Sequence, residues 1–151
     1  MLRPMWRDST PSDDDAIVAL CSALNAEDPG PNPVPATHVR ATLERFRAEP
    51  HRGRAVVYDV DGPAGYSFLV PFWSNELGGL ALVIDELFVA ATHRSRGAAS
   101  ALLSRLIEGS PWSAGCVALL LETTPDNHRA RRLYERHGFA GKNLGFRRLL
   151  R

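Results

Sequence analysis

Apolar residues recur along this chain with two different periods, and the switches between them lay out the elements. Ile17, Leu20, Cys21 and Leu24 follow helical spacing, Ser12 is placed to cap that helix, and Asp13, Asp14 and Asp15 favour the positive end of its dipole. The Pro- and Gly-rich stretch EDPGPNPVP cannot continue it. A second helix resumes in THVRATLERFRAEP, with Val39, Leu43 and Phe46 on one stripe. The pattern then shortens. AVVYDV is β-branched and aromatic, Asp61-Gly62 signals a hairpin, and AGYSFLVPFW follows as the partner strand. After the turn SNELGG, LALVIDELFVA carries apolar residues at both parities, which predicts a central strand covered on both faces. AASALLSRLIEG reads as a helix ending near Gly109, CVALLLET as another buried strand, and NHRARRLYERHG as a helix stopped at Gly138. A last strand or hairpin is expected between Phe139 and Leu149.

The predicted order is helix, helix, three strands, helix, strand, helix, strand. It combines antiparallel hairpins with a strand-helix-strand crossover, so a mixed α/β sheet with helices on both sides follows. With 151 residues and 44% apolar content, one domain spanning 1–151 is expected, and no repeat, linker or low-complexity segment divides it.

Charge excludes more than it suggests. The 18 basic residues nearly cancel the 17 acidic ones, and there is no basic stripe with interleaved aromatics, so neither nucleic acid nor an anionic membrane is expected as a partner. Any affinity for an anion must come from a local site. Cys21 and Cys116 lie far apart in apolar contexts without Cys-x-x-Cys spacing, which reads as two buried reduced thiols and points to the cytoplasm. No apolar stretch approaches the roughly 18 residues of a membrane span, and the N-terminal residues lack the apolar core of a signal peptide. His93, His128 and His137 have no metal-ligand spacing, so no metal is expected.

The stretch THRSRGAAS, between the central strand and the next helix, is where a local anion site can be built. A helix N-terminus leaves its first N–H groups unpaired and carries a partial positive charge. Gly97 permits close backbone approach, Ala99 and Ser100 keep the first turn small, and Arg94 and Arg96 add charged donors. An ordinary turn with solvated arginines is the competing reading. Neither a P-loop nor a dinucleotide-binding glycine motif is present.

A second stretch accompanies it: Asn127-x-x-Ala130-x-x-x-Tyr134-x-x-x-Gly138-Phe139. In order, and separated by one helix and one strand, Arg94-x-x-Gly97-x-Ala99 and this helix resemble the GNAT superfamily of acyl-CoA-dependent N-acyltransferases. The motif match covers roughly Ile84 to Phe139, and Ala99 stands in place of a second glycine, as the family pattern allows. The resemblance implies a GNAT-like, mostly antiparallel mixed sheet with helices on both faces. It implies an N-acetyltransferase using acetyl-CoA as co-substrate, with a primary amine of a small molecule, peptide or protein as acceptor. Many relatives are dimers, so a homodimer is one assembly it allows. Carried over by residue, it implies that Leu87, Phe88 and Val89 pair through their backbone with the pantetheine arm. Arg94, Ser95, Arg96, Gly97, Ala98, Ala99 and Ser100 would hold the diphosphate. Asn127 would contact the pantetheine or position the splayed strands, a helix cap being its alternative role. Tyr134 would protonate the departing thiolate, a packed core aromatic being the alternative.

Acetylation also needs a base for the amine. Asp85 and Glu86 are the unusual residues of an apolar strand, and burial would raise either toward useful basicity. As strand neighbours they are expected on opposite faces, so only one can face the substrate, and Glu86 is the preferred one. Glu122 occupies a place where some relatives carry the base. FWSNELGG and NAEDPGPNPVP are the expected walls of the amine site, with Trp73, Glu27 and Asp28 as contributors. Arg129, Arg132 and Arg136 share a helix stripe, either reaching the cofactor or simply solvated. A non-catalytic acyl-CoA-binding or sensing module is the alternative function.

Overall fold

The computed structural model of the chain describes residues 3–141 and 146–150. One sheet of five strands runs in sequence order: β1 (Met5–Asp8), β2 (Arg54–Asp59), β3 (Pro63–Ser74), β4 (Gly79–Val89) and β5 (Cys116–Leu121). The first four pair antiparallel and β4 pairs parallel with β5, the geometry that a crossover through α3 (Ala98–Ile107) requires. The expected mixed, mostly antiparallel sheet is therefore present. α1 (Asp14–Glu27) and α2 (Ala36–Ala48) cover one face, and α3 covers the other, with α4 (His128–Arg136) at its margin.

Strand alternation builds a core on each face. On β2, Ala55 and Val57 pack with Ile17, Cys21, Val39 and Leu43 beneath α1 and α2, while Val56 and Tyr58 pack with Leu102, Leu103 and Leu106 beneath α3. Gly65 on β3 is required by the crowding there, because a Cβ would lie 2.8 Å from the Phe88 carbonyl oxygen.

Two expectations are corrected, and a third falls partly outside the described residues. The chain opens with a strand, not a helix: β1 pairs Met5 to Asp8 with Asp59 to Val56. Ser12 does not cap α1. Pro11–Asp13 form a 3-10 turn leading into the helix, and Asp13 Oδ2 accepts from Thr10 N at 2.8 Å. The strand or hairpin expected between Phe139 and Leu149 falls partly on 142–145, outside the described residues, and the described residues on either side are not in a strand. The reading of CVALLLET as a buried strand also softens, since β5 is the edge of the sheet among the described residues and is only half-buried.

β1 is short but firmly held. Arg7 donates to Asp13 through both terminal nitrogens at 2.8 and 3.0 Å and to Asp59 through Nε at 2.6 Å. Trp6 Nε1 donates to the Ala98 carbonyl at 2.7 Å, and Arg105 donates to the Trp6 carbonyl while lying 3.7 Å over the Trp112 ring. The first strand thus anchors the N-terminal turn of α3.

Candidate active site

The pairing of β4 with β5 stops at Ile84 and Leu121, whereas β4 runs on to Val89. Beyond that point the backbone of β4 has no neighbour on its β5 side among the described residues, and a cavity of about 790 Å³ opens between the strands. Leu87, Phe88 and Val89 form one wall. The turn from Arg94 through Ser100, Arg96 excepted, forms the second, and Asn127, Ala130, Leu133 and Tyr134 of the α4 region form the third. Leu24, Glu27 and Asp28, at the end of α1, also line the cavity.

The turn before α3 has the character of an anion cradle. Ser95 and Gly97 both take positive φ, 60° and 78°, and Gly97 leads directly into the first turn of α3. Among the described residues no hydrogen bond is made by the N–H groups of Ser95 to Ser100, and the first pairing in α3 is Ala101 N to Gly97 O at 2.8 Å. A Cβ on Gly97 would meet no protein atom within 4 Å, so the space beside it is free for a ligand. Unpaired donors, helix-dipole charge and open room fit the diphosphate of acetyl-CoA, and the bare β4 edge fits an amide-bearing arm.

The charged side chains are less free than the sequence suggests. Arg94 donates from Nε to the Val89 carbonyl at 2.9 Å and from a terminal nitrogen to Glu27 Oε2 at 2.5 Å, and its guanidinium lies 5.2 Å over the Phe88 ring. A ligand diphosphate would have to share this arginine with Glu27. Arg96 is exposed and off the cavity wall, whereas Arg129, Arg132 and Arg136 line it from α4 while staying exposed.

Asn127 Oδ1 accepts from Ala130 N at 3.1 Å, so it caps α4 at the cavity margin. Tyr134 lines the cavity, lies edge-on to Phe139 with ring centroids 6.0 Å apart, and packs on the α3-side core. Burial pushes its phenol above the ordinary value, so it carries its proton throughout the neutral range.

The three candidate bases lie beside the cavity and not in its wall. Phe68 pairs with Glu86 but Leu69 pairs with Ile84, so Asp85 is an extra residue, a β-bulge, in β4. The bulge reverses the side-chain alternation: Ile84 faces α3, and Phe88 faces α1. Glu86 is thereby turned toward α1, where Cys21 Sγ lies 3.9 Å from its Oε1. Burial and the nearby charge of Asp85 push its carboxyl up to about 7. Asp85 is exposed beside Glu122, just past the end of β5, and its carboxyl is raised by desolvation and then by that like charge. Trp73 is 69% exposed on the far part of β3 and does not border the cavity, while Glu27 and Asp28 do. The Glu27–Arg94 pair and the Thr124–Asp28 contact, 3.3 Å, escaped the sequence reading because they join residues 67 and 96 positions apart.

A strand pair that splays, with a small-residue helix turn facing the gap, is the arrangement that the GNAT resemblance implies, and comparison with known proteins shows that family. The model of the acetyltransferase (GNAT) family matches residues 17–139, and this chain belongs to that family. It is 30% identical over 103 residues to the uncharacterized N-acetyltransferase YhfO of Bacillus subtilis (strain 168), covering 68% of each chain. Its fold is similar to that of a possible acetyltransferase from Clostridium difficile 630, with a TM-score of 0.81 at 18% identity, covering 98% of this chain and 99% of that one. An integron cassette protein from the mobile metagenome of Cole Harbour Salt Marsh gives 0.79 at 25% identity, covering 97% and 90%. No helix among the described residues is long and apolar enough to cross a membrane, and no His, Cys, Asp or Glu among them cluster as a metal site.

Proposed function

We propose that this chain transfers an acetyl group from acetyl-CoA to a primary amine of a small molecule, peptide or protein. The observation that carries the reading is the run of unpaired N–H groups from Ser95 to Ser100 beside a β4 edge that β5 has left bare. When bound, acetyl-CoA supplies an activated thioester. The chain's own contribution is to hold the diphosphate on the turn before α3, to align the arm along Leu87 to Val89, and to manage two protons. Tyr134 keeps its phenolic proton available for the departing sulfur. Glu86 lies on the α1 face, and Cys21 beside it is one helical turn from Leu24, a residue of the cavity wall. Because Glu86 lies off the cavity wall, its carboxylate would take the proton of an incoming ammonium through intervening water. A carboxyl near 7 is matched to that task at neutral pH. Asp28, which lines the cavity and is paired with no arginine among the described residues, favours a cationic acceptor.

The second reading, a non-catalytic acyl-CoA-binding module, draws on one observation: none of Asp85, Glu86 and Glu122 borders the cavity. Thiol release from acetyl-CoA separates the two. With polyamines, aminoglycosides, amino acids and N-terminal peptides as acceptors, at least one class is expected to raise release well above the acceptor-free rate and to yield the acetylated amine by mass. Binding of CoA without turnover on any of them favours the module.

A further inference from the structure

Beneath α1, off the cavity, lies a buried hydroxyl with no partner. Tyr66 of β3 is 0% exposed, and its Oη makes no hydrogen bond among the described residues. Phenylalanine would fill the same space without the cost of stripping a hydroxyl of water. The ring is wedged between Phe68 and Phe88, with centroids 5.2 and 6.4 Å away. Across the β3–β4 ladder Tyr66 pairs with Phe88 and Phe68 pairs with Glu86, so Tyr66 and Glu86 are diagonal neighbours on the α1 face, where Cys21 packs in the same cluster with its Sγ 3.9 Å from Glu86 Oε1.

The surroundings leave Glu86 short of donors. Asn25 Nδ2 is committed to the Cys21 carbonyl at 2.8 Å, with the Cys21 sulfur at 3.6 Å. Ser67 Oγ donates to the Glu86 main-chain oxygen at 2.6 Å, not to its carboxyl. Arg94, which covers Phe88, is paired with Glu27. Asp85 adds only a like charge, and α2 brings Val39, Leu43 and Phe46, all apolar, to this face. The thiol is a weak donor. One strong neutral donor remains, the Tyr66 hydroxyl.

We propose that Tyr66 is the positioning residue of Glu86, its hydroxyl donating to the carboxylate whenever Glu86 is ionised and letting go when Glu86 takes up a proton. In the acyl transfer, the acceptor ammonium gives one proton to the Glu86 carboxylate, leaving a neutral amine and a carboxylic acid. The phenol keeps its own proton throughout, because burial holds its titration far above that of Glu86. Tyr66 thus offsets part of the burial that would otherwise keep Glu86 protonated and useless as a base. The proposal rests on reading Glu86 as that base.

The test is a carboxyl 13C NMR titration of glutamate-labelled protein without cofactor or acceptor, with Glu86→Gln assigning the resonance. In Tyr66→Phe the Glu86 midpoint is expected to rise by about one pH unit, since a donor to the charged form is lost. Cys21→Ala should move it much less. An unchanged midpoint in a folded Tyr66→Phe protein overturns the proposal, as does a larger shift in Cys21→Ala. With an accepted amine, the acid limb of kcat/KM should move up by the same amount in Tyr66→Phe while KM for acetyl-CoA holds, and a stationary limb also overturns it. The titration needs no turnover, so a wild-type chain that acetylates nothing would count against the proposed function while the NMR result still decides the role of Tyr66.

Discussion

Tyr134 illustrates how a single residue can satisfy two demands at once. Its ring packs against Phe139 and the core under α3, and the residue also lines the cavity. In the proposed reaction a phenol held protonated by burial would give its proton uphill to a thiolate, and that proton would spare the leaving sulfur an uncompensated charge in a desolvated site. Tyr134→Phe keeps the ring, so melting temperature and CoA affinity should hold while kcat falls by about 10² to 10⁴. Steady-state kinetics with an accepted amine is the check, and a kcat within about twofold of wild type would leave Tyr134 a packing residue alone. Positions such as Tyr134, Asn127 and Gly97 were legible in the sequence because each belongs to a short local pattern, where spacing along one helix or turn is also spacing in space. The choice between Asp85 and Glu86 was not legible in that way. Strand alternation separates their faces but does not say which face looks at α1.

At the scale of elements, β1 is the piece that pattern reading missed. Four residues, Met-Trp-Arg-Asp, offer too little alternation to register as a strand, and their hold on the sheet comes from distant partners. Arg7 bridges Asp13 and Asp59, and Asp13 also receives the Thr10 N–H and hydroxyl. Pairing with Arg7, working against burial, keeps the Asp13 carboxyl below its ordinary value. A carboxylate lowered in the folded state contributes stability that is fully present above the unfolded value, about 4, and is lost as pH falls through the lower folded value. Asp13→Asn leaves Arg7 with one buried-side partner fewer, and a loss of about 2–3 kcal/mol at pH 7 is expected, moderated because Arg7 keeps partial contact with water. Urea unfolding at pH 7 and through the range of about 4 down to 2 checks both parts. The gap between wild type and variant should close in acid, and a gap that persists there would show that the loss is not due to the charge.

At the scale of the whole molecule these pieces meet at one cavity. Trp6 of β1 holds the first turn of α3, α3 presents the N–H cradle, and the parting of β4 from β5 supplies the space in front of it. Acetyl-CoA or CoA should therefore stabilise the entire fold, by about 2.7 kcal/mol at 100 times its Kd, read as a rise in melting temperature. Gly97→Glu and Ala99→Glu should each abolish that rise. Both put bulk and negative charge at the cradle, but only the first also strains a backbone at φ 78°. A normal ligand-induced rise in folded Ala99→Glu would mean that the turn is not the diphosphate site. By itself the sequence determined the helices, the long strands, the order that makes a mixed sheet, and the two motif stretches, because each depends on periodicity or capping within about 15 neighbouring residues. Only the tertiary structure decided the strand β1, the engagement of Arg94 by Glu27, and the meeting of Cys21, Tyr66 and Glu86 beneath α1. The first follows from pairing with β2 and the reach of Arg7, and the other two from the register of β3 against β4 and the docking of α1 on the sheet. Inserting one residue, Asp85, into that ladder turns Glu86 from one face to the other, and no pattern within a single strand records where its neighbour in the sheet will slip.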